Sequence, residues 1–584
     1  MKQLYPFKKP LPNHLWVLLL LVAGLVLYAN SLPNQMFWDD DDNILKNQYI
    51  QNWQYFPKYF SENLIAGAGL LSDYWRPMLL TVFSLEWRLW EDWAPGYHLV
   101  NTLFHLANAI FIFFILGYIF KNRGLAGLTA LVFLVHPLQT EAVTYVSGLG
   151  DPLSVFFIFL GIIFYLKFLI SKKTAPQSKF YLSSLLMYIL ALMSKETAII
   201  MPALIFIADF FFSAQNEELS LKNKLKKIGK SLWPFLALAG FYILLRATLL
   251  NFKNTFNLYD EENIFTSNFH IRLFTFFRIL IVYLGLLFWP LNLHMERTVE
   301  IAASLNSFSV ILGGLIFLGS LILALTQFKR FPILSFGILW FFIGLAPTSN
   351  LLVPISGLLY EHWLYLPLIG FFLILIWAGM KIGRRGVLGR IFLLIFIIYL
   401  VFFSVLTINQ NAIWRDPITF YRYTLKYAPE NYRVLNNLGM AYADVGDYKL
   451  AETTYKKAIS LNPSNPVGYH NLGNAYQAMG KIDLAIENFN TAISLDPKFV
   501  FSYYALANLY LQDKNFQKAR ELFENYLPQS DSKANILFLL AQIAIEEKDF
   551  DSASEYLERA LKIEPENQSI QIILFNLRRL KTQK

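Results

Sequence analysis

Four adjacent carboxylates, Asp39 to Asp42, follow Phe37 and Trp38 directly after the first apolar run of the chain. Membrane anchoring has no use for them, and their mutual repulsion favours shared protons and raised apparent pKa values. A carboxylate of this kind, held at the membrane edge, can take a proton from a hydroxyl. Trp38 is expected to hold the run at headgroup level, where indole rings prefer to lie. Further along, polar residues recur at the ends of apolar runs: Arg76, His136 and Glu141, Asp151, Lys195 and Glu196, Arg297, Glu361 and His362. Charges in such places are costly and mark function. The cations Arg76, Lys195 and Arg297, together with His136, suit a phosphate. The acids Glu141, Asp151, Glu196 and Glu361 and the imidazole of His362 suit support of those cations.

The elements that must position these groups are membrane helices. Of 584 residues, 55% are hydrophobic and only 16% charged, against about 25% charged in soluble domains. The net charge of +9 falls largely in short loops between apolar runs, where it sets topology and is not a nucleic-acid footprint. Without cysteine, disulfides, thiolate metal sites and cysteine nucleophiles are excluded. Lys2, Lys8 and Lys9 before the first apolar run give an uncleaved first helix. Apolar stretches lie near 14–32, 98–120, 124–139, 152–170, 179–195, 197–213, 231–250, 271–290, 307–327, 331–346, 362–380 and 390–410. Placing every basic loop in the cytoplasm (Lys121/Arg123, Lys172/Lys173/Lys179, Lys222 to Lys227, Lys329/Arg330, Lys381 to Arg390) requires about eleven crossings. The segment 271–290, with Arg272 and Arg278, then lies along the outer surface or re-enters. The N-terminus is expected inside, and the first loop and C-terminus outside, in a bacterial inner membrane with the C-terminal region in the periplasm.

After residue 410 the periodicity changes. Leu438-Gly439, Tyr442, Gly446, Ala451, Tyr455, Ala458 and Pro463 recur 34 residues later as Leu472-Gly473, Tyr476, Gly480, Ala485, Phe489, Ala492 and Pro497. This is the tetratricopeptide period, and it continues more loosely to Pro565, with Asp531 in the third unit's proline position. The expected organisation is all-α. A polytopic membrane bundle occupies 1–410 and a linker or half-repeat 411–431. An α-solenoid of about four repeats plus a capping helix fills 432–584. Asn436, Asn437, Asn471 and Asn474 on the first helices are candidates to hydrogen-bond an extended acceptor peptide.

Short motifs now carry a resemblance. Phe37-Trp38-Asp39-Asp40, Trp75-Arg76-Pro77, Gly96 to Asn101, His105 to Asn108, His136 to Val143, Ser194-Lys195-Glu196, Pro347 to Asn350 and Tyr365-Leu366-Pro367 stand in order through the membrane half. With the repeats, the chain resembles the transmembrane and tetratricopeptide-repeat O-mannosyltransferase-like family of the GT-C glycosyltransferase superfamily. The resemblance implies a GT-C helical bundle and an inverting transfer of a sugar, usually mannose. The donor would be a polyprenyl phosphate, and the acceptor a hydroxyl on protein Ser or Thr at the extracytoplasmic face. By this analogy Asp39 or Asp40 is the base. Arg76 is the first candidate to meet the leaving phosphate, followed by Lys195 and His136, with Glu141, Glu196 and Glu361 orienting the cations or holding sugar hydroxyls. Relatives often carry a basic residue where this chain has Gly150. The lipid-linked donor is the expected small-molecule partner; the acidic run could hold a divalent metal, but no His or second cluster has clear ligand spacing, and none is assigned. The competing readings are a lipid-linked or envelope glycan as acceptor, a non-catalytic membrane-anchored scaffold, and a transporter, whose sites would lie at the bilayer midplane instead.

Overall fold

A computed structural model describes residues 11–171, 177–216, 220–253, 263–383, 387–530 and 532–582. Lys2, Lys8, Lys9, Lys172, Lys173, Arg384, Arg385 and Asp531 lie outside the described residues. Within them every regular element is a helix, and the chain divides into two compact units, Met1–Phe420 and Tyr421–Lys584.

Among the described residues of the first unit, eight helices are long and apolar enough to cross a membrane, from Asn13–Ser31 to Val387–Ile413. A ninth forms if Arg123–Val135 and Pro137–Val143, bent by 57°, are one span. Ser178–Ser194, Pro332–Thr348 and Leu368–Ile382 are shorter apolar helices. Phe269–Phe288, expected along the outer surface, is itself long and apolar enough to cross. Small residues let helices approach: a Cβ on Gly370 would overlap the Gly337 carbonyl, so the helices carrying them touch through backbone.

The basic loops gather at one end of this bundle. Lys224 Nζ lies 4.3 Å over Phe210, and Phe210 packs 5.5 Å from Phe328. Lys381 Nζ lies 4.8 Å over Phe331. The candidate site residues stand at the opposite helix ends: Asp151 opens Gly150–Ile170, and Glu196 follows Gln177–Ser194.

Residues 421–584 form four helix pairs, beginning Tyr432–Asp444 with Tyr448–Leu461 and ending Lys533–Glu546 with Phe550–Ile563, then a last helix, Gln568–Thr582. Each expected small position does packing work: Gly439 lies under the Tyr455 ring and Gly473 under Phe489. The turn inside the first two pairs uses Gly446 and Gly480 at φ 81° and 72°. In the next two pairs the left-handed position falls to Lys514 and Lys548, at φ 56° and 64°. Left-handed backbone is disfavoured for a residue with a Cβ, and the later repeats are the looser ones in sequence as well.

Candidate active site

The acidic run is split by backbone geometry. Trp38 has φ 64°, a conformation strained for a bulky residue, and it packs edge-on against Phe420 at 5.9 Å. Trp38 is half-buried, with its ring held against protein on this side. Past this kink Asp40 turns inward and Asp39 outward. Asp40 is 1% exposed. Its Oδ2 accepts from the Phe37 N–H at 3.1 Å, and its Oδ1 accepts from the Ser147 N–H at 2.8 Å and the Ser147 hydroxyl at 2.5 Å. Burial pushes the Asp40 carboxyl up to about 7 against the pull of those three donors. The neighbouring Asp39 charge, expected to be the cause, contributes least, because removal from water outweighs repulsion across a solvated gap. Asp39 is exposed, and its N–H donates to the Tyr145 hydroxyl at 3.0 Å. Asp41 pairs with Lys46 at 2.9 Å.

Two ion pairs stand side by side. Arg76 grips Glu196 through Nε at 3.1 Å and Nη2 at 2.7 Å, and Lys195 Nζ meets Asp151 at 2.8 Å. Between them sits Gly150. A Cβ there would make ordinary contact, 3.7 Å from Arg76 Nη1 and 3.8 Å from Lys195 Cδ, so Gly150 lies against both cations. Arg76 also lies 4.4 Å over the Tyr74 ring. The Tyr74 hydroxyl is raised, chiefly by desolvation; Arg76 lowers it, while Glu196, Asp39 and Asp73 raise it. Asp39 and the Arg76–Glu196 pair thus act on one phenol.

A second group surrounds Glu361 and His362. Glu141 accepts from His362 Nδ1 at 2.8 Å and from the His362 N–H at 3.0 Å. Glu361 accepts from Arg297 Nη2 and from the His294 N–H, both at 3.0 Å. Burial, then the nearby Glu141 charge, pushes Glu361 up to about 8 despite Arg297. The loop that delivers Arg297 turns through Asn292 and Glu296 at φ 57° and 62°. The His362 ring stacks on Tyr360 at 5.4 Å.

His136 does not join either group. It is fully buried, its Nε2 donates to the Leu287 carbonyl at 3.2 Å and its Nδ1 accepts from the Leu138 N–H at 3.2 Å. Both ring nitrogens serve backbone, so the side chain holds the bend before Pro137 and has no N–H to offer a phosphate. The Gly96 to Asn108 motifs are likewise internal: Asn101 Nδ2 donates to the Tyr145 and Val146 carbonyls, and Asn108 Nδ2 to the Pro152 carbonyl. In the repeats Asn436 is buried, and its Oδ1 accepts from Asn471 at 3.1 Å; Asn474 is exposed and Asn437 half-buried.

One short stretch organises most of this. Within Glu141 to Asp151, Glu141 holds His362, Tyr145 meets Asp39, Ser147 holds Asp40 and Asp151 holds Lys195. Tyr145, Ser147 and Tyr74 were not singled out in the sequence. The available signal was the interval itself, bounded by two residues that were.

The comparisons with known proteins agree with the motifs. Residues 439–480 match the TPR repeat family, and 466–499 and 500–566 match Tetratricopeptide repeat families. The chain is similar to a protein O-mannosyl-transferase of Caenorhabditis elegans, 24% identical over 76% of this chain and 62% of that protein. It is similar to protein O-mannosyl-transferase TMTC4 of Homo sapiens, 24% identical over 74% of this chain and 64% of that one. Protein O-mannosyl-transferase Tmtc1 of Drosophila melanogaster is 23% identical over 75% of this chain and 60% of its own length. The chain thus spans less than two thirds of the length of these curated relatives. The resemblance to the transmembrane and tetratricopeptide-repeat O-mannosyltransferase-like family, read first from the motifs, is borne out.

Proposed function

We propose that the chain is an inverting GT-C glycosyltransferase that moves a sugar, mannose by analogy, from a polyprenyl phosphate to a Ser or Thr hydroxyl of protein on the extracytoplasmic face. The observation that carries this reading is the stretch Glu141 to Asp151, which binds an exposed acid, a buried acid, an oriented imidazole and a lysine into one assembly. Asp39, the exposed member of the pair, is the base and takes the acceptor proton as the hydroxyl oxygen attacks the anomeric carbon. Asp40 is a positioning residue, since its oxygens are spent on Phe37 and Ser147. The bond from the anomeric carbon to the phosphate oxygen breaks, and the leaving phosphate gains negative charge. Arg76 and Lys195, pre-oriented by Glu196 and Asp151 on either side of Gly150, meet that charge without reorganising. Arg297 and His362, with Glu361 and Glu141 behind them, hold the sugar ring and its phosphate from a second side. The repeats recruit the acceptor.

The test is transfer of labelled mannose from a short-chain polyprenyl phosphate to a Ser/Thr peptide by the purified chain in detergent, with the product's anomeric configuration read by NMR. Inverted product lost on Asp39→Asn supports the reading. Retained configuration overturns direct displacement. Label passing to a lipid or glycan, and never to peptide, overturns the acceptor.

A further inference from the structure

In the two middle repeats, charge is confined to the second helices. Pro466–Ala478 and Val500–Gln512, the first helices of the second and third pairs, contain no Asp, Glu, Lys or Arg. Their partners do: Ile482–Leu495 carries Asp483 and Glu487, and Phe516–Tyr526 carries Lys518, Arg520, Glu521 and Glu524. Successive first helices touch, Tyr432–Asp444 with Pro466–Ala478 and that helix with Val500–Gln512. This is the arrangement of helices lining the inner curve of a solenoid.

Polar groups cross these contacts. Asn471 Nδ2 donates to Asn436 Oδ1 at 3.1 Å. Asn474 Nδ2 donates to His470 Nε2 at 3.1 Å, and His470 Nδ1 is 3.1 Å from the Ser502 hydroxyl. An imidazole that accepts at Nε2 carries its proton on Nδ1 and donates it to Ser502. Burial pushes the His470 imidazole down to about 4, so it is neutral at physiological pH and adds no charge. Asn474 and Phe501 are exposed beside this chain of bonds. Phe499 and Phe501 pack 5.4 Å apart and flank His470.

Such a surface discriminates. A charged ligand would lose water and find no counter-ion, which is unfavourable. An extended backbone presents one N–H and one C=O at each residue, and amides and hydroxyls answer both. Aromatic rings add contact area for small or apolar side chains at little entropic cost. We propose that the inner face of residues 466–512 is a docking surface for an extended, uncharged segment of polypeptide, held through its backbone amides. The inference rests on the reading of the repeats as the acceptor-recruiting part, and it narrows the acceptor to charge-poor unfolded stretches of chain.

The test measures binding of short fluorescent peptides to the full chain in detergent by anisotropy. The first peptide is built of Ser, Thr, Gly and Ala; a second intersperses Glu, a third Lys, and a fourth is the neutral peptide N-methylated at alternate residues. The neutral peptide is expected to bind with an affinity constant within about twofold from about 50 to about 500 mM salt, since no ion pair is there to be screened. Removing backbone donors by N-methylation costs about tenfold or more, and so does the Asn471→Ala/Asn474→Ala double variant, as hydrogen-bonding partners are lost. Lys457→Ala, on a second helix, leaves binding unchanged. Unaltered helicity and melting of the double variant show that it folds. Tighter binding of the charged peptides, a steep fall with salt, or indifference to N-methylation overturns the proposal. If the neutral peptide fails to bind while mannose transfer persists, the docking surface falls and the transferase reading stands. Binding without transfer has the reverse meaning.

Discussion

In the membrane unit Arg76, Lys195, Arg297 and His362 each meet a carboxylate, at 2.7, 2.8, 3.0 and 2.8 Å. In the repeats, two successive inner helices hold no charge at all. The difference has separate causes. At the rim of an apolar bundle an unpaired charge is expensive, so cations arrive with carboxylates that also aim them, and chemistry that creates charge can use the arrangement. On a water-exposed solenoid a surface charge costs little. Its absence from these two helices relieves no solvation cost, and in the docking proposal it is what selects the partner.

The contrast can be broken most directly at Asp39. Asp39→Asn is expected to lower mannose transfer by about 10³-fold, within the range of a lost general base. The protein should remain in the membrane, because the side chain is exposed. Transfer at wild-type rate would remove the charged site from the mechanism. Next, Arg76→Gln is expected to lower kcat by about 10²-fold and to reduce thermal stability, since Glu196 loses its partner. Adding Glu196→Gln should restore stability but not turnover, a split that separates charge supply from packing.

A pH series sharpens the comparison further. Asp40 and Glu361 have folded-state values raised to about 7 and about 8. The folded state therefore binds protons more tightly than the unfolded chain. Stability is greatest below the ordinary carboxylate values of 3.8 and 4.5 and declines as pH rises to about 7 and about 8. Melting in detergent is expected to fall across that window, and Asp40→Asn with Glu361→Gln should flatten the fall. The repeats, melted in the same scan through their far-ultraviolet signal, should show the smaller dependence. The least effect is expected at Gly150→Ala. The new Cβ would make only ordinary contact with Arg76 Nη1 at 3.7 Å, so turnover should change by less than about twofold.

The sequence by itself determined the two-part organisation. Hydropathy reports membrane helices because a bilayer demands about 20 apolar residues wherever it is crossed. The 34-residue period reports the solenoid because each repeat packs only on its neighbours, so Gly439 under Tyr455 and Gly473 under Phe489 recur in register. It also marked both ends of the organising stretch, Glu141 and Asp151. Tertiary structure alone decided which acid faces out. Adjacent residues are equivalent in a string of letters, and only the positive φ of Trp38 and the hydrogen bonds from Phe37 and Ser147 separate Asp39 from Asp40. It likewise decided between histidines: His136 is consumed by two backbone groups, whereas His362 is aimed by Glu141. Contacts between residues more than 100 positions apart, such as Ser147 with Asp40 and Arg76 with Glu196, leave no local periodicity. Their energy lies in the packed bundle and nowhere in the spacing of the chain.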